Sequence, residues 1–281
     1  MIRLFNNNQK DCEMSTMTAP IRVDHEGPID IVTLDRAETL NAVDLEMAQA
    51  LHDYFSAMQS KRSTRVIILR SEGRAFSAGA DLNSPAFVPP GSGRAQRQHD
   101  IQRLYSGIVR LMRSCPQPII ALAQGAACGA GFSLLLASDV RYVTCHVKMN
   151  AAYLKVGLGG CDMGSGYLLS RLVGMSVAAE YLLSGRFITA ERARAMGLVS
   201  EIVEPEQLLD TGLALAADML KASPMGLRMT KETLNAVIDA GSLDAGLALE
   251  DRQQVILLDT DDHREAVQAF RERREPRYRD S

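Results

Sequence analysis

Apolar positions along this chain fall into two alternating kinds of segment. Residues 29–34, 66–69, 119–123 and 140–144 are short apolar runs of strand length, and residues 45–59, 100–112 and 130–137 are longer stretches of helical character. Their alternation predicts an α/β fold whose core begins near Ile21. From Ser176 onward the chain reads as mostly helical, with Thr189 as the N-cap of a helix that Gly197 ends. Residues 243–274 form a long amphipathic stretch whose apolar positions Leu247, Val255, Leu258, Val267 and Phe270 need a surface to cover. Between residues 83 and 98, Pro85, Pro89, Pro90, Gly91 and Gly93 break any regular element and predict a loop of the kind that forms lids. Residues 1–19, rich in Asn, Met and Thr, read as a disordered leader or a misassigned start. The chain thus divides into a leader (1–19), a core (20–200) and a C-terminal helical region (201–281).

Composition narrows the function classes. A chain of 281 residues, 46% hydrophobic and 23% charged, can bury a full core and fits one large domain or one domain with a helical appendage. A net charge of −3 with dispersed basic residues gives no footprint for nucleic acid. The cysteines Cys12, Cys115, Cys128, Cys145 and Cys161 show no CxxC or metal-like spacing, so reduced thiols in a cytoplasmic protein are expected and no metal site is. No run approaches the ~20 apolar residues of a membrane span, and the first ten residues lack the apolar stretch of a secretory signal.

Candidate chemistry lies in two glycine-bearing turns, Phe76-Ser77-Ala78-Gly79-Ala80-Asp81-Leu82 and Gln124-Gly125-Ala126-Ala127-Cys128-Gly129-Ala130-Gly131-Phe132, each following a strand-like run. Such a turn can present a free backbone N–H at a helix start, where unpaired amides and the helix dipole favour negative charge. Two such donors aimed at one point make an oxyanion hole. Glycines that merely permit tight turns are the competing reading for either turn alone. Other glycine motifs fail: Gly129-Ala130-Gly131 lacks the third glycine of a dinucleotide fingerprint, and Met163 breaks the elbow pattern around Gly164-Ser165-Gly166.

The two turns, in this order with residues 35–42, Ala137-Ser138-Asp139, Val156-Gly157-Leu158, residues 183–190, Gly197-Leu198-Val199 and the tail from His263 to Tyr278, resemble the crotonase superfamily of enoyl-CoA hydratases and isomerases. The resemblance implies a ββα superhelix with a C-terminal helical trimerisation region, self-association as a trimer or a dimer of trimers, and an acyl-CoA thioester as substrate. Coenzyme A then enters only with the substrate, and no other cofactor is implied. Carried over by position, the oxyanion donors are the amides of Ala80 and Ala130. Arg36, Ala42, Arg74, Ala78, Asp81, Leu82, Gly129, Ser133 and Tyr153 fall around the thioester, with Arg36 and Arg74 at positions that meet coenzyme A phosphates. On its own residues, Asp81 also reads as fixing its own turn. His99 precedes a predicted helix near the loop and is a weaker candidate.

Carboxylates decide which reaction follows an enolate. A hydratase of this family uses two glutamates to hold and activate water, and here those positions carry Ser133 and Tyr153, neither of which replaces a carboxylate near neutral pH. One carboxylate remains nearby. Asp162 lies in the loop where dienoyl isomerases of this family carry a catalytic aspartate; counting forward from Tyr153 puts Cys161 there, and counting back from Arg171 puts Asp162 there. Asp162 as proton shuttle makes double-bond isomerisation of an enoyl- or dienoyl-CoA the preferred chemistry, and Asp162 as a cap of the following helix is the competing reading. Hydration by atypical groups, or a CoA-thioester-binding protein with little catalysis, are the alternatives.

Overall fold

The computed structural model describes residues 19–84 and 93–281. Residues 1–18 of the expected leader, Cys12 among them, and residues 85–92 of the expected loop lie outside the described residues. In chain order the elements are β1 (Ile21–Glu26), β2 (Ile29–Leu34), α1 (Leu45–Met58), β3 (Val66–Ser71), α2 (Arg94–Ser114), β4 (Ile119–Ala123), β5 (Ala126–Cys128), α3 (Ala130–Ala137), β6 (Val140–Val143) and β7 (Lys148–Asn150). There follow α4 (Ser165–Val173), α5 (Met175–Ser184), β8 (Ile188–Thr189), α6 (Ala190–Ala195), β9 (Glu201–Ile202), α7 (Leu208–Leu220), α8 (Pro224–Val237), α9 (Leu243–Leu258) and α10 (Asp261–Glu272).

The strands form two sheets, one in the order β1-β2-β3-β4-β6-β9 and a smaller one in the order β5-β7-β8. Only β1 runs against its neighbour in the large sheet, and the strands from β2 to β9 are parallel. β4 leaves the large sheet, supplies β5 to the small one and passes into α3; β6 and β7 repeat the step, and Ser77, after β3, bridges Ala127 of β5. Strand, strand, helix, wound around one axis, is the ββα superhelix.

Parallel central strands are covered on both faces and therefore read as continuous apolar runs. β4 is buried at every position, and β3 at all but Arg70. One face packs under Phe55 of α1, Ile108 and Met112 of α2 and Phe132 of α3. The other packs Ile68, Ile120 and Leu122 against Leu208 and Ala216 of α7. Gly212 lets α7 lie close, since a Cβ there would stand 2.9 Å from Leu122 Cδ1. With β9 paired to β6, residues 201–220 therefore belong to the layers of the core rather than to a separate helical appendage.

Several expectations shift by a few residues. α2 starts at Arg94, six residues before the predicted helix, because Gly93 at φ 72 turns the chain directly into it. Thr189 does cap α6, its hydroxyl accepting from Arg192 N, and Gly197 at φ 75 follows the helix. The long amphipathic stretch is two helices. Thr260 accepts from His263 N and starts α10 afresh. Helix α8 is pinned to the core by Lys231, whose buried Nζ meets Asp139 Oδ2 at 2.8 Å and donates to the carbonyls of Met112 and Gln117. Among the described residues no helix is long and apolar enough to cross a membrane.

Candidate active site

The two glycine turns touch because their backbones are sewn together. Phe76 N donates to Gln124 O, Ser77 N to Ala126 O and Cys128 N to Ser77 O, at 2.8–2.9 Å. The contact leaves no room for side chains: a Cβ on Gly125 would stand 2.0 Å from Arg74 O, and one on Gly79, at φ +105, would stand 3.0 Å from Cys128 O. On the far side of the first turn run residues 40–43, with Ala78 N donating to Leu40 O and Val43 N to Gly79 O. Leu40 and Asn41 both take left-handed backbone (φ 55 and 53), a cost that surrounding bonds must offset. Buried Asn41 supplies them: its Oδ1 accepts from Arg36 N, its Nδ2 donates to Glu72 O and Ala75 O, and its own carbonyl accepts from Ser77 Oγ at 2.7 Å.

This frame leaves two amides unpaired. Val43 exchanges its bonds with Gly79 and Asp81, so the N–H of Ala80 between them points away from Val43. Ala130 is the first residue of α3, where no intrahelical carbonyl is available to its amide. Among the described residues neither N–H has a partner. Gly129 before it stands at φ 48 and ψ −117, a conformation open to glycine, and a Cβ there would lie 3.7 Å from Gly79 Cα. All eight residues of α3 are buried, so its positive end is poorly screened. The far end is capped by buried Arg141, which donates to Leu135 O and Ser138 O; burial lowers its pKa to about 10. Two unpaired N–H groups from touching turns can hold an oxygen that becomes negative during a reaction.

Behind Ala130 lie the two hydroxyls. Ser133, fully buried on α3, has its Oγ 2.5 Å from Tyr153 Oη, and Tyr153 donates to Gly129 O at 2.7 Å. Burial, with a smaller contribution from the charge of Asp162, holds the Tyr153 phenol well above its usual range. Asp162 approaches from the other side, its carbonyl 3.3 Å from Ser133 Oγ. Its half-buried carboxylate is anchored through one oxygen: Oδ1 accepts from Met163 N at 2.7 Å and from Gln102 Nε2 of α2 at 2.5 Å. Oδ2 has no partner among the described residues. The N-cap of α4 is Gly164 and not Asp162, whose side chain accepts from Met163 N and Gln102 Nε2 and from no amide of α4 among the described residues. Cys161, the alternative by counting, packs its sulfur against Gly166 of α4.

The remaining expected residues divide into two groups. Arg36, expected at phosphate, has its guanidinium engaged by Ala42 O, by Asp44 at 3.0 Å and by Asp81 at 3.3 Å. Asp81, expected at substrate, is Arg36's partner and fixes its own turn by accepting from Asn83 N. Both therefore brace the first turn, because two half-buried opposite charges within reach of each other pair. Arg74, Ala78 and Leu82 are exposed around that turn, and Arg74 has no hydrogen bond or ion pair among the described residues. His99 is two-thirds exposed on α2 and stands beside Asp100. Gln102 and Asn41 are the residues whose roles the chain order did not reveal: Asn41 lies in a recognised segment, whereas nothing near Gln102 marks it. Among the described residues no group of three or more His, Cys, Asp or Glu is placed to hold a metal ion.

The family model for enoyl-CoA hydratase/isomerase matches residues 24–281. The chain belongs to the enoyl-CoA hydratase/isomerase family. A Mycobacterium bovis protein named "Probable enoyl-CoA hydratase echA12" is 36% identical over 264 residues, covering 92% of this chain and 93% of that one. The 1,2-epoxyphenylacetyl-CoA isomerase of Escherichia coli is 32% identical over 247 residues, covering 88% of this chain and 93% of its own. The crystal structure of enoyl-CoA hydratase from Bacillus anthracis superposes with a TM-score of 0.86 at 29% identity, over 93% of this chain and all of that one. The fold of this family member is accordingly the crotonase fold, with the helical C-terminal region in place.

Proposed function

We propose that this member of the family moves a double bond in an enoyl- or dienoyl-CoA, with Asp162 carrying the proton. The free Oδ2 takes a proton from one carbon of the acyl chain, the electrons reach the thioester oxygen, the amides of Ala80 and Ala130 hold the resulting enolate, and Asp162 returns the proton to another carbon. The observation that carries this reading is a carboxylate with one oxygen anchored and one free, next to a site whose other two expected acid-base positions hold hydroxyls bonded to each other. Such proton transfer is redox-neutral and calls for no cofactor beyond the coenzyme A of the substrate. Exposed Arg74, Ala78 and Leu82 border the first turn, where the nucleotide end of that coenzyme would lie. We further propose assembly as a trimer or a pair of trimers, supported by the unpartnered apolar residues of α9 and α10, in the cytoplasm, where the free cysteines stay reduced.

Asp162→Asn tests the mechanism. It should keep acyl-CoA affinity within a few fold while lowering turnover at least ~100-fold, the usual contribution of a positioned acid-base group. Solvent deuterium should enter the acyl chain of a 3-enoyl-CoA with the unmodified protein alone. Comparable exchange in the Asn variant removes Asp162 from the mechanism. Hydration is the second reading, favoured by the hydratase names of several relatives. Fast addition of water to a 2-enoyl-CoA with no double-bond shift would put it in place of isomerisation.

A further inference from the structure

We propose that Tyr153 is a positioning residue that aims the Ala130 amide: its buried hydroxyl holds the Gly129–Ala130 peptide in the orientation that turns the N–H toward the thioester oxygen. The inference rests on the enolate-stabilising reading above. Within one planar peptide the C=O and the N–H point in opposite directions, so whatever fixes the oxygen of Gly129 fixes the hydrogen of Ala130. That oxygen accepts two bonds, from Ser133 N at 3.0 Å within the first turn of α3 and from Tyr153 Oη at 2.7 Å from outside it. Glycine itself imposes little torsional preference, and Gly129 at φ 48 and ψ −117 is held only by what bonds its peptide.

Proton counting gives the direction of the chain. Ser133 and Tyr153 own one hydroxyl proton each but make three close contacts: with each other at 2.5 Å, Tyr153 to Gly129 O at 2.7 Å, and Ser133 to Asp162 O at 3.3 Å. Only two can be hydrogen bonds at once. The shorter carbonyl contact takes the Tyr153 proton, so Ser133 donates to Tyr153 and Tyr153 to Gly129. Bonds in such a series polarise one another, and the low dielectric around a fully buried serine and a tyrosine 7% exposed strengthens each. The peptide at the end of the series gains a more acidic N–H on its far side. The two hydroxyls thus act on the oxyanion donor rather than on water, which accounts for their presence where carboxylates would be acid-base groups.

The test uses the full-length protein, butyryl-CoA labelled with 13C at the thioester carbonyl, and difference infrared spectroscopy. Binding to the unmodified protein should lower the carbonyl stretching frequency, because the two amides draw electron density to the oxygen. In Tyr153→Phe at saturating ligand at least half of that downshift should disappear, with the calorimetric Kd within ~3-fold and solvent-deuterium exchange ~10-fold slower or more, less than the ~100-fold typical of deleting a donor itself. Full retention of the downshift in Tyr153→Phe overturns the inference alone. A downshift absent from the unmodified complex overturns the enolate-stabilising reading and this inference with it. Should Tyr153→Phe not fold, 3-fluorotyrosine placed at position 153 decides: its more acidic phenol should enlarge the downshift, and an unchanged or smaller one overturns the proposal.

Discussion

At the scale of single residues, the site depends on glycines that space and torsion both require. Gly79 combines φ +105 with a neighbour, Cys128 O, 3.0 Å from where a Cβ would sit. A side chain there strains its own backbone by about 1–3 kcal/mol and pushes the two turns apart. Gly79→Ala is therefore expected to lower the unfolding temperature modestly and CoA-thioester affinity more strongly. Gly79→Pro, which restricts φ near −65°, should abolish binding or unfold the turn. Calorimetry finding wild-type affinity in a folded Gly79→Ala protein would contradict the placement of the ligand at this turn. Asn41 and Gln102 show the limit of residue-level reading, since their value comes mostly from which distant backbone or side chain meets them, at separations of 31–36 and 60 residues.

At the scale of elements, one buried carboxylate joins the opening strands to α1. Asp30 of β2 accepts from His25 of β1 at 2.8 Å, from Tyr54 of α1 at 3.0 Å, and from Lys61 and Thr64 of the following loop at 3.2 and 3.0 Å. Burial alone would raise its pKa, but the four donors outweigh burial and hold it below the ordinary value. A carboxylate depressed on folding contributes stability that is present above its unfolded pKa, about 4, and is lost as pH falls through its folded pKa. Asp30→Asn should cost about 2–4 kcal/mol at pH 7 and flatten the acid limb of stability, so that the gap to the unmodified protein narrows from pH 6 down to pH 3. Thermal unfolding across that range checks it, and a gap that stays constant rules the linkage out. Periodicity found α1, α3 and the central strands because each buries a whole face or the whole element. It missed the two-residue β8 and β9, which exist only through pairing with β7 and β6, and it fused α9 with α10 because the break is a single Thr260 cap.

At the scale of the whole molecule, α9 and α10 hold apolar surface that the described residues do not cover. Phe270 is 84% exposed, Leu243 77% and Val255 66%, with Leu247, Leu258 and Ile256 also open. Patches of this kind mark a partner surface, and the proposed trimer supplies one. Light scattering of the full-length protein at micromolar concentration should return a mass of three chains or a multiple of three, and a monomer mass would contradict the assembly. Truncation after Asp239 removes the Asp280 partner of Arg228 and the Gln253 partner of Thr233, leaving α8 uncovered. The truncated protein is expected to aggregate, and a stable truncated monomer would show that α8 needs no cover.

The sequence alone determined the central strands and the helices around them, because apolar runs and helical stretches are local properties of a buried chain. It also determined the two glycine turns and, by their order, the family; the helix start it predicted frees the Ala130 amide alone, whereas the Ala80 amide is freed by the bridge of its turn to Val43, with no helix there. Tertiary structure decided what lies opposite each group. Only the fold could bring Gly79 against Cys128, turn Arg36 and Asp81 toward each other rather than outward, leave one oxygen of Asp162 free, and lay Tyr153 across the back of the Ala130 peptide. Those outcomes depend on distances between segments tens of residues apart, which the packing of the superhelix sets and no local pattern encodes.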